Sequence, residues 1–410
     1  MPSTANAPSI RTQEYADRRA RLLRSLNGAV GIVFAGDHPP PYLRPWRADP
    51  QFAYLTGIDN EQGAAVLFDP TADDPKRRIV LLLKPVDPEM DRWDGYREQI
   101  GTPLRKRTGF DTVMRLSALP RLLGTAARRC KRLACLHAFA PHTAGGPSPD
   151  LAVFRKVQEK IPGVAIEDRT MLLPEMRAIK SPAELALMKR AALATGAGYR
   201  AAFATLRPGI GERDVQLAME RAYIDAGAED TAYQSIVGSG LNGTVLHYNA
   251  NNGPCNAGDL LVIDSGARFG GYACDVTRTL PVSGRYTKEQ RDLYTLVLRA
   301  QEAAIRAAKP GVPMWKVDRA ARDVIEKAGL GDAYIHGIGH QLGMEVHDVT
   351  PDGALKPGMV VTIEPGVYLP ERRVGVRIED DILITRTGNT NLTAAIPKSI
   401  ADVEAAMRAG

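Results

Sequence analysis

Two aspartates, two glutamates and a histidine stand where an ordinary core or surface role explains a charged group poorly. Asp264 ends the apolar run Leu261-Val262-Ile263, and Asp275 sits between Cys274 and Val276. Glu364 follows Val361-Thr362-Ile363, and Glu379 follows Arg377-Ile378. His340 belongs to the stretch from His336 to His347, which holds three of the chain's seven histidines. Two carboxylates brought together in apolar surroundings repel each other unless a cation lies between them. Four carboxylates and one imidazole make an oxygen-rich set that suits Mn²⁺, Co²⁺ or Zn²⁺ and not soft copper. The four negative charges offset two divalent ions. Two such ions about 3.5–4 Å apart can bridge one hydroxide and polarise a carbonyl, which is the chemistry of hydrolysis. Each residue alone has a plainer explanation, as a solvated strand end or a filler histidine. The set, in this order and these contexts, carries the signal.

The elements around these residues must bring them together. Gly266, Gly270 and Gly271 suit a hairpin that sets Asp264 opposite Asp275. Strand-like runs cover 260–264, 359–364 and 376–385, and alternation along the last puts Arg377 and Glu379 on one face. Four helices are expected. The first opens at the capping box Ser181-Pro182-Ala183-Glu184 and the second runs from Glu212 to Ala226. The third opens at the capping box Thr287–Gln290 and the fourth starts near Pro313 and stops at Gly329. They repeat in register. Arg207-Pro208-Gly209-Ile210 matches Lys309-Pro310-Gly311-Val312, Val215 matches Val317, and Ala226-Gly227 matches Ala328-Gly329, all at an offset near a hundred residues. Such a period is too long for a solenoid. It predicts one domain made of two similar halves, with a site in the cleft between them. Upstream, apolar runs at 31–34, 65–68, 79–83 and 133–136 predict a small α/β domain with a mixed or parallel sheet, interrupted by a proline-rich stretch at His38-Pro39-Pro40-Pro41.

Bulk properties exclude several classes. A chain of 410 residues, 44% hydrophobic and 24% charged, has the make-up of a soluble protein of two domains. No apolar run reaches the length of a membrane span. The first twenty residues contain no apolar block, so no secretory signal is expected. Four cysteines with no C-x-x-C pair fit a reducing cytoplasm better than a disulfide framework. The net charge of +6 is spread out, and the one dense stretch, Arg128 to Arg132, reads as a solvated face; nucleic-acid binding is not expected.

In these motifs the chain resembles the metal-dependent pita-bread peptidases, the superfamily of methionine aminopeptidase, prolidase and aminopeptidase P. The resemblance implies that Asp264 holds one metal, that His340 and Glu364 hold the other, and that Asp275 and Glu379 bridge both. It places His247 beside the substrate and His336 and His347 around the scissile carbonyl and the proline pocket. It makes Arg377 a buttress of the bridging Glu379 and Glu364 a proton shuttle as well as a ligand. Gln51–Gly57 and Trp93–Arg97 are similar to the N-terminal domain of aminopeptidase P. The implied architecture is α+β. A small α/β domain over 1–172 precedes a pita-bread catalytic domain of duplicated α-α-β halves over 173–410. The implied activity is release of the N-terminal residue from peptides with proline second, by metal-bound hydroxide, with two divalent ions, Mn²⁺ before Co²⁺ or Zn²⁺. A homo-oligomer, dimer or tetramer, in the cytoplasm is expected. The alternatives are a prolidase, which takes Xaa-Pro dipeptides, a non-catalytic binding protein on the same fold, and a metal-free relative of the creatinase kind. The last two require ligands to be lost, and none is.

Overall fold

The computed structural model describes residues 7–36, 46–137, 146–348, 350–351 and 353–409. The proline-rich stretch at 38–41 lies outside the described residues. Internal contacts divide the chain into two compact units, Ile10–Arg177 and one built from Ala178–Gly410. The division falls five residues beyond the boundary read from the sequence. The reason is local: Leu172–Ala178 is a helix whose Leu173 and Met176 are buried, and the Tyr54 hydroxyl donates to Met176 O.

In the first unit the strands are β1 (Val30–Phe34), β2 (Ala65–Phe68), β3 (Ile79–Leu83), β4 (Thr112–Arg115), β5 (Arg132–Cys135) and β6 (Ala165–Asp168). They form one six-stranded sheet in the order β4-β3-β2-β1-β5-β6. It is mixed: β2 runs antiparallel to β1 and β3, and the other pairs are parallel. The four central strands are the apolar runs of the sequence. The two edge strands were not legible there, because an edge strand faces solvent and needs no apolar run; β6 has no buried residue at all. The dense basic stretch is used locally: Arg129 pairs with Asp69 at 2.6 Å, and Arg132 pairs with Glu167.

In the second unit two helices, α1 (Pro182–Thr205) and α2 (Glu212–Asp225), pack together and are followed by β7 (Ile236–Ser239), β8 (Leu260–Asp264) and β9 (Thr277–Pro281). The helices α3 (Lys288–Ala307) and α4 (Met314–Lys327) then pack together in the same way and are followed by β10 (Val360–Ile363), β11 (Gly366–Leu369), β12 (Val374–Arg377) and β13 (Asp380–Ile384). Both expected capping boxes form, at Ser181/Glu184 and Thr287/Gln290. The duplication extends to single hydrogen bonds. Gly209 N donates to Cys255 O and Cys255 N to Ile210 O; Gly311 N donates to Leu355 O and Leu355 N to Val312 O. Gly209 and Gly311 have φ of +89° and +83°, and Gly227 and Gly329 +90° and +76°. The glycines recur because these turns need a left-handed residue in each half. One apolar core, from Ala191 on α1 to Ile384 on β13, joins the halves. No helix among the described residues is long and apolar enough to cross a membrane.

One expectation fails. Residues 376–385 do not form a single strand: β12 pairs with β11, β13 pairs with β10, and the chain changes sheets at Ile378-Glu379. Arg377 and Glu379 therefore do not share a strand face.

Candidate metal centre

Strands β8 and β9 pair antiparallel with Asp264 opposite Thr277. The intervening chain turns back at Gly270-Gly271, whose φ values of +57° and +80° suit a two-residue hairpin turn. Gly266 has no room for a side chain, since a Cβ there would lie 1.8 Å from Cys274 O. This folding brings Asp264 and Asp275 to one phenol: the Tyr233 hydroxyl meets Oδ1 of both. His340 Nε2 lies 3.6 Å from Asp275 Oδ2 and 3.6 Å from Glu364 Oε1. Ligand-type atoms of Asp275, His340 and Glu379 all lie within 4.8 Å of one another. All five expected ligands thus converge, from a stretch of chain more than a hundred residues long. Gly339 lets His340 enter, because a Cβ at Gly339 (φ +151°) would stand 2.2 Å from Thr362 O.

The duplication explains the arrangement. Asp264 ends β8 and Glu364 follows β10, the corresponding strand of the second half; Asp275 just precedes β9 and Glu379 just precedes β13. Each half contributes one acid after its first inner strand and one before the next. His340 has no such counterpart and makes the site asymmetric.

A cavity of about 620 Å³ opens over the cluster, lined by Asp264, Asp275, His340 and Glu364, with His247, His336, His347 and Arg377 around them. All nine sequence-read site residues therefore belong to this region, with Glu379 behind the cavity wall at 1% exposure. His347 packs against His340 with the rings tilted, their centroids 4.1 Å apart. His336 Nε2 meets the Tyr368 hydroxyl at 2.9 Å.

Arg377 reaches Glu379 only indirectly and Asp264 directly. Its Nη2 donates to Asp264 Oδ2 at 2.7 Å, its Nη1 to the Tyr368 hydroxyl at 2.9 Å, and its Nε to Thr277 Oγ1 at 3.1 Å. Thr277 Oγ1 in turn donates to Glu379 Oε2 at 2.7 Å. The guanidinium buttresses Asp264 directly and Glu379 through Thr277, as the change of sheets at Ile378 requires. Tyr233, Thr277 and Tyr368 were not legible in the sequence. No motif marks them, and their partners lie 31 to 102 residues away, except for the local Tyr368–Arg377 pair.

The electrostatics test whether cations belong here. Burial, reinforced by the neighbouring carboxylates, pushes Asp275 and Glu379 well above the usual carboxylate range. Burial pushes Glu364 up to about 8, with Asp264 adding to the effect against Arg377. Burial lowers His340 and His336 to about 4, so both imidazoles are neutral at pH 7 and His340 can offer a lone pair. Glu379 Oε1 is buried without a hydrogen-bond partner. Crowded carboxyls, a neutral imidazole and an orphaned carboxylate oxygen are together the donor set that divalent cations satisfy.

A duplicated fold with a carboxylate–histidine cluster at the junction of its halves, under a cavity lined by further histidines and an arginine, defines a metal-dependent hydrolase. The comparisons narrow the class. Residues 186–386 match metallopeptidase family M24, and residues 15–134 match the aminopeptidase P N-terminal domain. The chain is 36% identical to the Xaa-Pro aminopeptidase of Haemophilus influenzae, over 96% of both chains. It superposes on aminopeptidase PepP of Pseudomonas aeruginosa with a TM-score of 0.86 at 30% identity, covering 98% of each. It superposes equally, with a TM-score of 0.86 at 30% identity over 98% of this chain and 99% of the other, on zinc-substituted Escherichia coli aminopeptidase P in complex with product. The chain belongs to metallopeptidase family M24.

Proposed function

We propose that this chain is an Xaa-Pro aminopeptidase, releasing the first residue from peptides with proline second. The observation that carries the reading is the convergence of Asp264, Asp275, His340, Glu364 and Glu379 beneath a cavity that also holds His247, His336 and His347. Those five are the ligands in this reading. Their four carboxylates balance two divalent ions, Mn²⁺ first, with Co²⁺ and Zn²⁺ as alternatives. Such ions supply Lewis-acid activation of the scissile carbonyl and of the attacking water. The chain's own groups do the rest. Glu364, in the cavity wall beside His340, takes the water proton and delivers it to the proline nitrogen. His347, exposed at the cavity, donates to the oxyanion of the tetrahedral intermediate. His336, neutral and held by the Tyr368 hydroxyl, and His247 flank the substrate. An Xaa-Pro bond has no N–H and a fixed φ, so recognition by strand-like hydrogen bonding fails and a dedicated pocket is useful.

The matches over nearly the whole chain, N-terminal unit included, favour this reading over a prolidase. The proposal extends to a cytoplasmic homo-oligomer; all four cysteines are free thiols, as a reducing compartment keeps them. The deciding measurement compares kcat/KM for Ala-Pro-Ala and for Ala-Pro at matched pH and metal. The tripeptide is expected to be cleaved better, and a clear preference for the dipeptide would make the enzyme a prolidase. Light scattering and cell fractionation check the assembly and the compartment.

A further inference from the structure

Glu212, the first residue of α2, is fully buried, yet none of its hydrogen-bond partners is a cation. Its Oε1 accepts from Ser239 N at 2.8 Å and Asn242 Nδ2 at 2.9 Å. Its Oε2 accepts from the Tyr248 hydroxyl at 2.8 Å and Gly253 N at 2.8 Å. The four donors span one loop from end to end, with Ser239 entering it, Asn242 and Tyr248 within it and Gly253 leaving it. That loop carries Leu246, His247 and Asn249 into the cavity wall. Gly253 admits the carboxylate, since a Cβ there would meet Asn242 Nδ2 at 2.8 Å and Glu212 Oε2 at 3.1 Å. A carboxylate that accepts several such bonds is held firmly, and it holds its donors as firmly. The position at a helix N-terminus adds to its stabilisation.

The second half uses the same device with the charge reversed. Arg322 on α4 donates to Tyr334 O at 3.2 Å and to His336 O at 2.8 Å, and is itself fixed by Asp318 at 2.7 Å. In each half a charged side chain of the second helix grips the backbone of a loop that presents a site histidine.

We propose that Glu212 is a positioning residue for His247, acting through the backbone of the 239–253 loop. The proposal rests on the peptidase reading of the cavity. Glu212→Gln keeps the volume but sets an amide donor against donors. It should lower kcat/KM for Ala-Pro-Ala by about 10- to 100-fold, the scale of a small misplacement near a reacting group, with metal content unchanged by elemental analysis. In a His247→Ala background the same substitution should change kcat/KM less than about twofold, because the side chain it positions is gone. In a His336→Ala background its full effect should persist. Hydrogen exchange supplies a readout independent of catalysis: the amides of Ser239 and Gly253 should lose protection in Glu212→Gln. If Glu212→Gln does not fold, Tyr248→Phe, which deletes one of the four bonds, takes its place in the same cycle with the same coupling expected. Equal effects in the His247→Ala and wild-type backgrounds, or unchanged amide protection, would overturn the proposal. A wild-type chain that leaves Ala-Pro-Ala uncut would refute the peptidase reading alone, and the exchange measurement would still decide the clamp.

Discussion

Stripping cations from the catalytic unit with a chelator should make its stability fall as pH rises, the opposite of the usual behaviour of paired carboxylates. A carboxyl whose folded pKa stands above its unfolded value keeps its proton longer when folded. Its contribution is present below the unfolded pKa and is lost as pH climbs through the folded one. Glu364 moves from 4.5 to about 8, so its window covers roughly that range. Each pH unit within the window costs about 1.4 kcal/mol per group, so from pH 5 to 8 Glu364 alone removes on the order of 4 kcal/mol. Asp275 and Glu379, pushed up by burial and by one another, act in the same direction. Against a typical stability of about 5–15 kcal/mol this is a large fraction. For a unit of this size it lowers Tm by roughly 10 °C. Bound cations remove the effect by favouring the charged carboxylates. Asp381, buried and raised to about 8, adds a slope of the same sign to the chelated form. The quantity to measure is therefore the difference in Tm between Mn²⁺-loaded and chelated protein from pH 5 to 8. That difference should widen with pH. A gap that stays constant or narrows would mean that the carboxylates do not repel across an empty cation site, and the ligand assignment would fall with it.

Three further outcomes follow. Glu379→Ala should abolish turnover and lower the metal content found by elemental analysis, because Glu379 offers a ligand atom within 4.8 Å of those of Asp275 and His340. His347→Ala should lower kcat by about 10²–10³-fold, the loss expected for one oxyanion donor, while metal content stays nearly constant; a variant that emerges metal-poor would mean that His347, not His340, is the ligand. Gly339→Ala, which sets a Cβ against Thr362 O at a φ of +151°, should cost about 2 kcal/mol or more in urea denaturation and should also weaken metal retention by displacing His340.

The sequence pointed to the proposed ligands because their surroundings were odd: a buried acid at the end of an apolar strand has few innocent explanations. It carried the duplication because Gly209, Gly227, Gly311 and Gly329 occupy turns that other residues enter at a cost. It did not carry the break at Ile378-Glu379, since alternation of side chains continues through a point where the backbone changes partners. The direct bond from Arg377 to Asp264, beside its indirect link to Glu379 through Thr277, was likewise not legible. Tyr233 was hidden for a different reason. A tyrosine in an irregular stretch is unremarkable until two aspartates, 31 and 42 residues further on, fold against its hydroxyl.

The order in which the ligands occur along the chain bears on synthesis. Of the proposed ligands Asp264 leads and Glu379 comes last, and the backbone of Glu379 is held by Arg278, which also donates to Ile396 O and Pro397 O. Arg278 is balanced by Asp380, to which Lys398 adds a second cation at 2.6 Å. A growing chain that has already made its first domain, both helix pairs and four of the five ligands still lacks the segment that locks the fifth. The backbone grip on Glu379 is thus completed only once Ile396 and Pro397 have been made, so the last of the five proposed ligands is the last to be fixed.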